Sequence, residues 1–146
     1  MHASLCNQYA LGFLLADVSR LTRRAFERAI LQSSTLTLAQ ARALVSIARN
    51  EGVRQVALAD LLDVRPMTLA RLLDQLVERD LIERRPDATD RRVFLIYLRS
   101  AAQAELRIIG EVIAQISKEA TVDLSAEQVS ATTAALPQMR INLGVR

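Results

Sequence analysis

The sequence predicts a mainly α-helical protein carrying one small β-hairpin, with a central lobe of short helices between long helices at both ends. Three observations lead there. Apolar residues recur every three or four positions over most of the 146 residues. Glycines number 4, prolines 3, and aromatics make up 3%, which suits helices on short connections and not a many-stranded sandwich. One stretch, 81–98, drops the helical period and alternates around a turn.

The elements follow in order. Leu11, Leu14, Val18, Leu21 and Ala25 step by three and four, giving a long amphipathic helix over 7–32. Thr37-Leu38-Ala39-Gln40, Ser100-Ala101-Ala102-Gln103 and Ser125-Ala126-Glu127-Gln128 each fit the S/T-x-x-Q capping box. They place helix starts for 37–50, 100–120 and 125–143. Asn50-Glu51-Gly52 stops the first of these. Leu106, Ile109, Ile113, Ile116 and Ala120, widened by Ile108 and Val112, give 100–120 an apolar face broad enough to need more than one neighbour. Pro137 is expected to kink or end the last helix.

In the middle, 56–63 reads as a short helix and 66–79 as a longer one. Residues 81–85 and 92–98 read as strands, with Pro86-Asp87-Ala88-Thr89-Asp90-Arg91 as the turn. The second strand is apolar on both faces up to Arg99, so both faces should be covered. The coarse order is α-α-(β)-α-α-β-β-α-α.

The tight joint between 56–63 and 66–79 is the informative one. Ala59 is small enough for a second helix to cross closely, Val64 plugs the turn, and Pro66 ends one helix while suiting the first turn of the next. Two short helices so joined make a helix-turn-helix. On the second helix Leu69, Leu72, Leu73, Leu76 and Val77 share one face. The open face begins with Met67, Thr68, Arg71 and Gln75, groups suited to base edges, and its acids Asp74, Glu78 and Asp80 gather toward the C-terminal half. That polarity fits an N-terminal half entering a major groove. A hairpin tipped with Arg91 and Arg92 just beyond it is a wing, whose arginines suit the narrow minor groove. Asp87 and Asp90 fit such a tip if they brace the arginines. The fold class is therefore a winged helix-turn-helix domain flanked by N- and C-terminal dimerisation helices.

The run from Leu58 to Leu98 resembles the MarR family of winged-helix regulators. The resemblance rests on Leu58-Ala59, the helix from Thr68 to Leu76, Leu81-Ile82-Glu83-Arg84, and Asp87-Ala88-Thr89-Asp90-Arg91-Arg92 before an apolar strand. Thr68 to Leu76 is especially similar to the SlyA-like branch. The chain departs from the family pattern at Leu98-Arg99-Ser100-Ala101-Ala102, where the family has Thr then Gly, so Ser100 is expected to take over the cap. The resemblance implies one domain over 1–146, a DNA-binding lobe over 37–99 and dimerisation helices over 7–36 and 100–146. It also implies a small aromatic or anionic effector between helices and lobe. The DNA-contacting set expected from helix and wing is Arg65, Pro66, Met67, Thr68, Arg71, Gln75, Arg84, Asp90, Arg91 and Arg92.

Composition bounds the alternatives. The net charge is +3 with a pI near 9.7, and the base is almost all arginine, with Lys118 the single lysine. Arginine suits bidentate recognition of phosphate and guanine, though high-GC codon usage gives the same bias. One cysteine, Cys6, fits a reducing compartment, and no apolar run near the start is long enough for a signal peptide or membrane span. A cytoplasmic protein without membrane contact is expected. The single histidine, His2, sits at a terminus expected to be disordered, so neither a His-based triad nor a Cys/His metal site can be assembled. There is no glycine-rich phosphate loop. No catalytic residue, metal or cofactor is expected, and the chain reads as a regulator of transcription and not an enzyme. The expected activity is repression by a homodimer on a palindromic operator in duplex DNA. The alternatives are a winged-helix module that binds protein, and a redox-sensing regulator using Cys6.

Overall fold

The computed structural model describes the backbone of residues 2–144 and the side chains from residue 10 to 144. The order is α1 (His2–Ser33), α2 (Leu38–Arg49), β1 (Val53–Arg54), α3 (Gln55–Leu62), α4 (Pro66–Glu78), β2 (Ile82–Pro86), β3 (Phe94–Leu98), α5 (Ala102–Ala120) and α6 (Ala126–Gly144). The first helix starts at His2, ahead of its expected start and inclusive of the histidine assigned to a loose terminus.

Local chemistry explains most boundaries. At α2 the capping box closes both ways: Gln40 N donates to Thr37 Oγ1 at 3.2 Å and Thr37 N to Gln40 Oε1 at 2.9 Å. At α6 the same exchange joins Ser125 and Gln128. The third box does not form. The cap residue of α5 is Ala101 in right-handed helical geometry, with no side-chain cap bond, and Ser100 lies in a turn closed by Ala102 N donating to Arg99 O. A capping hydroxyl needs extended backbone at the cap, and the turn from β3 into α5 does not supply it. Pro137 sits inside α6 without ending it. Proline removes one donor, and the turns on either side keep the rest of the ladder.

Both helices of the helix-turn-helix end alike. Asp63 (φ 53) and Asp80 (φ 60) take left-handed backbone, which aspartate tolerates better than most residues. Behind them Val64 N donates to Ala59 O and Leu81 N to Leu76 O, so the last carbonyls find partners and the chain reverses tightly. Val64 is half-buried and Leu81 buried, so each apolar residue plugs the turn it closes.

The sheet has three antiparallel strands in the order β1-β3-β2. The short β1 realises the bracketed strand, Val53 facing Ile96 and Arg54 facing Leu95. The hairpin pairs Ile82 with Leu98 through to Pro86 with Phe94. The strands are shifted from expectation: the second begins at Phe94 and not at 92, because Arg91, Arg92 and Val93 belong to the turn. Nor are both faces of β3 covered. On one face Ile96 is fully buried but Phe94 at the wing end is exposed, and on the other Leu95 and Tyr97 are only half-buried.

One core joins these parts. Leu58 and Leu62 of α3, Leu69, Leu73 and Leu76 of α4, Ile82 and Ile96 of the sheet, and Leu44 and Ile47 of α2 are buried together. Each fully buried aliphatic side chain contributes about 1.5–3 kcal/mol. Val77, expected on the buried face of α4, is exposed at its edge. Ile30 of α1 and Ile109 of α5 reach into the same core, so the long helices are rooted in the lobe.

Candidate nucleic-acid interface

The helix α4 places its leucines inward, which sends Met67, Thr68 and Arg71 outward. Met67 is 74% exposed, unusual for so apolar a side chain and apt for a thymine methyl. Arg65 at the cap, Pro66, Met67, Thr68 and Arg71 line a shallow concavity of about 540 Å³. A second one, of about 460 Å³, runs between the start of α3 and the wing. It is lined by Arg54, Gln55, Val56, Pro66, Arg92, Val93 and Phe94. Pro66 belongs to both, so recognition helix and wing base form one tract.

The wing tip is built from two aspartates. Asp87 accepts from Thr89 N at 2.8 Å and Thr89 Oγ1 at 2.7 Å, and receives Arg54 Nη2 from β1 at 3.4 Å. The Thr89 hydrogen bonds, with Arg54 adding to them, hold its carboxyl below the usual carboxylate range. Asp90 accepts from Arg92 N at 3.0 Å and Arg92 Nε at 3.2 Å, and the Arg92 guanidinium is the first cause of its lowered pKa. The expected bracing of arginine by aspartate thus holds for Arg92, whose side chain still stands 91% exposed. Among the described residues Arg65, Arg71 and Arg91 enter no ion pair.

Two of the acids toward and just beyond the C-terminal end of α4 are held by other arginines. Asp74 pairs with Arg84 at 2.7 Å, and Asp80 with Arg99 at 2.7 Å. On the outer hairpin face Arg85 pairs with Glu83 and lies over the Tyr97 ring, 4.3 Å from its centroid.

Of the expected contact set, Arg65, Pro66, Met67, Thr68, Arg71, Arg91 and Arg92 share the exposed tract and wing, with Asp90 as a brace. Gln75 is also exposed, but its Oε1 accepts from Gln40 Nε2 at 3.0 Å. Arg84 is not on the tract; its guanidinium is engaged beneath α4. Sequence reasoning passed over Arg54, Val56 and Phe94. A two-residue strand carries no periodic signal, and an exposed Phe94 looks like any other residue of an apolar run. Cys6 lies outside the residues whose side chains are described.

A third concavity, of about 450 Å³, opens where α1, α2, α3 and α5 meet. Arg23 and Arg42 stand among Phe26, Leu38, Val45, Leu61 and Ile113.

Helix-turn-helix, three-stranded wing and flanking helices together define a winged-helix DNA-binding fold. The MarR family model matches residues 36–94, the lobe that carries the tract. The chain is 29% identical over 125 residues to a proposed transcriptional regulatory protein for the hcr operon of Thauera aromatica, covering 86% of this chain and 74% of that protein. It also resembles a mutant MarR from E. coli in complex with operator DNA, at 27% identity and a TM-score of 0.73, covering 92% of this chain and 96% of that one. The transcriptional regulator SlyA matches at 25% identity and a TM-score of 0.75, over 91% and 93% of the two chains. Residues 36–94 thus match the MarR family, a family of transcription regulators and not of enzymes, and the chain shares the fold of the solved MarR and SlyA proteins over most of its length.

Proposed function

We propose that the protein is a homodimeric repressor that lays α4 in a major groove and the wing in the flanking minor groove of an imperfect palindrome. The observation that carries this is the continuous tract on either side of Pro66, where arginines 65 and 71 and the wing arginine 92 face solvent together. Likeness to a MarR solved with operator DNA supports the same docking. Repression needs only occupancy of the operator. The contact set is Arg65, Pro66, Met67, Thr68, Arg71, Arg91 and Arg92, with Gln75 contributing through whatever its amide retains beyond Gln40. Selection of bound sequences from random duplex DNA tests it. A palindromic consensus with A·T-rich flanks supports the reading, and recovery of no enriched sequence defeats it.

The dimer is proposed from the flanking helices. None of the residues of α6 is buried, and Leu136, Ile141 and Leu143 face outward. Leu11, Phe13, Leu14, Val18 and Leu21 of α1 do the same. A second copy covering these rows makes residues 7–36 and 100–146 the dimerisation region, with 37–99 as the DNA-binding lobe. The arginine-flanked apolar concavity beneath α1 and α5 suits a small aromatic acid, and a ligand there would alter how the lobe sits on the long helices and release DNA. Benzoate-class acids titrated against the DNA complex test this, with Arg42→Ala expected to abolish the response. The peroxide-sensing alternative makes the opposite forecast for one residue: Cys6→Ser leaves DNA release unchanged here, and would abolish a response to peroxide there.

A further inference from the structure

The side chain of Arg84 belongs to the inner face of the hairpin. In the β2–β3 register it stands opposite the fully buried Ile96, on the same face as the buried Ile82, while Glu83 and Arg85 occupy the outer face. From there it reaches α4. Its Nη1 donates to Asp74 Oδ1 at 2.7 Å and its Nη2 to Ala70 O at 3.2 Å, one helical turn apart. Its Nε is the one buried side-chain polar atom without a partner among the described residues. An arginine seated at that desolvation cost is held by its other two bonds and is not free to swing to a phosphate.

We propose that Arg84 and Asp74 are positioning residues that hold the wing at a set angle to the recognition helix and touch no DNA themselves. The inference rests on the DNA-binding reading above and deepens it. Helix and wing then act as one rigid unit, so a single docking geometry satisfies both grooves. Asp74 makes the idea sharp, because its side chain is 58% exposed on the open face that begins with Thr68 and Arg71. Removing an acid near phosphate ordinarily tightens DNA binding. Positioning requires the reverse.

The experiment measures binding of the full-length protein to the selected duplex and to a scrambled one over a range of salt. Parent, Asp74→Asn, Arg84→Met and the double variant are compared, with Asp74→Glu as the conservative control and thermal melting as a check of fold. Each of Asp74→Asn and Arg84→Met should weaken cognate binding roughly tenfold, with scrambled binding and salt slope nearly unchanged. The double variant should be no weaker than the worse single, since the two act through one link. Asp74→Glu should recover most of the loss. Tighter or unchanged cognate binding by Asp74→Asn overturns the inference. So does an equal loss on both duplexes by Arg84→Met with a salt slope lower by about one, which marks a phosphate contact. A parent that does not distinguish the two duplexes defeats the DNA-binding reading itself, and the pairing role falls with it.

Discussion

At the scale of single residues, what separates the arginines of the lobe is their partners. Among the described residues Arg71 has no ion-pair partner on the open face of α4, one turn in from Pro66, whereas Arg84 and Arg99 are tied to acids. Arg71→Ala should therefore cost about 1–3 kcal/mol at the cognate site and relax preference at one base pair per half-site. Arg91→Ala and Arg92→Ala, at the wing tip, should weaken cognate and scrambled duplexes alike and lower the salt slope by about one for each phosphate left without its arginine. A salt titration on both duplexes checks this, and identical profiles for all three variants count against the surface. The wing aspartates give a pH forecast. With Asp87 and Asp90 titrating below their unfolded values, their hydrogen bonds are fully present above the ordinary carboxylate value and disappear as pH falls through the lowered folded one. Carboxyl NMR should place both midpoints below the usual range, and DNA binding between pH 6 and 8 should show no dependence arising from the wing.

Single elements differ in how far local sequence determines them. The box at Thr37 is made, and its Gln40, itself buried, goes on to hold Gln75 of α4. The box at Ser100 is spelled the same way and is not made. Thr37→Ala should lower stability by about 1 kcal/mol, with melting compared at one protein concentration. Ser100→Ala should change it by less than about 0.5 kcal/mol. Equal losses would mean that the cap geometry is not as described. Gly52 is the comparable point in the β1 turn. Its φ of 80 favours glycine, and a Cβ there would meet Tyr97 Oη at 3.0 Å. Gly52→Ala should destabilise by more than about 1 kcal/mol, and Tyr97→Phe should restore only the part due to crowding, since the backbone strain stays.

For the whole molecule the decisive feature is an imbalance of burial. The lobe buries its leucines within the chain, while the outer rows of α1 and α6 have no cover. A dimer with an apolar interface of roughly 2,000 Å² or more should result. Sedimentation should show it at micromolar concentration, and Leu136→Asp with Ile141→Asp should shift it to monomer. A parent that sediments as monomer removes the palindrome along with the interface, because the operator's symmetry is the dimer's own.

The helices, the tight joint at Val64 and Pro66, the hairpin and most of the exposed tract are legible in the order of residues alone. Those features rest on local causes: a 3.6-residue period, a proline that cannot continue a helix, a run of turn formers between alternating strands. Whatever depends on a second segment was settled by the assembled fold. It turned Arg84 inward, because strand register and not residue type sets which face a side chain takes. It gave Gln75 a partner 35 residues away and left Val77 and Phe94 uncovered at the rims of their elements. It denied Ser100 its cap, because the backbone leaving β3 arrives at α5 already in helical geometry. An arginine on a hairpin reads the same from sequence whether it meets a phosphate or an aspartate; only the neighbour across the fold tells the two apart.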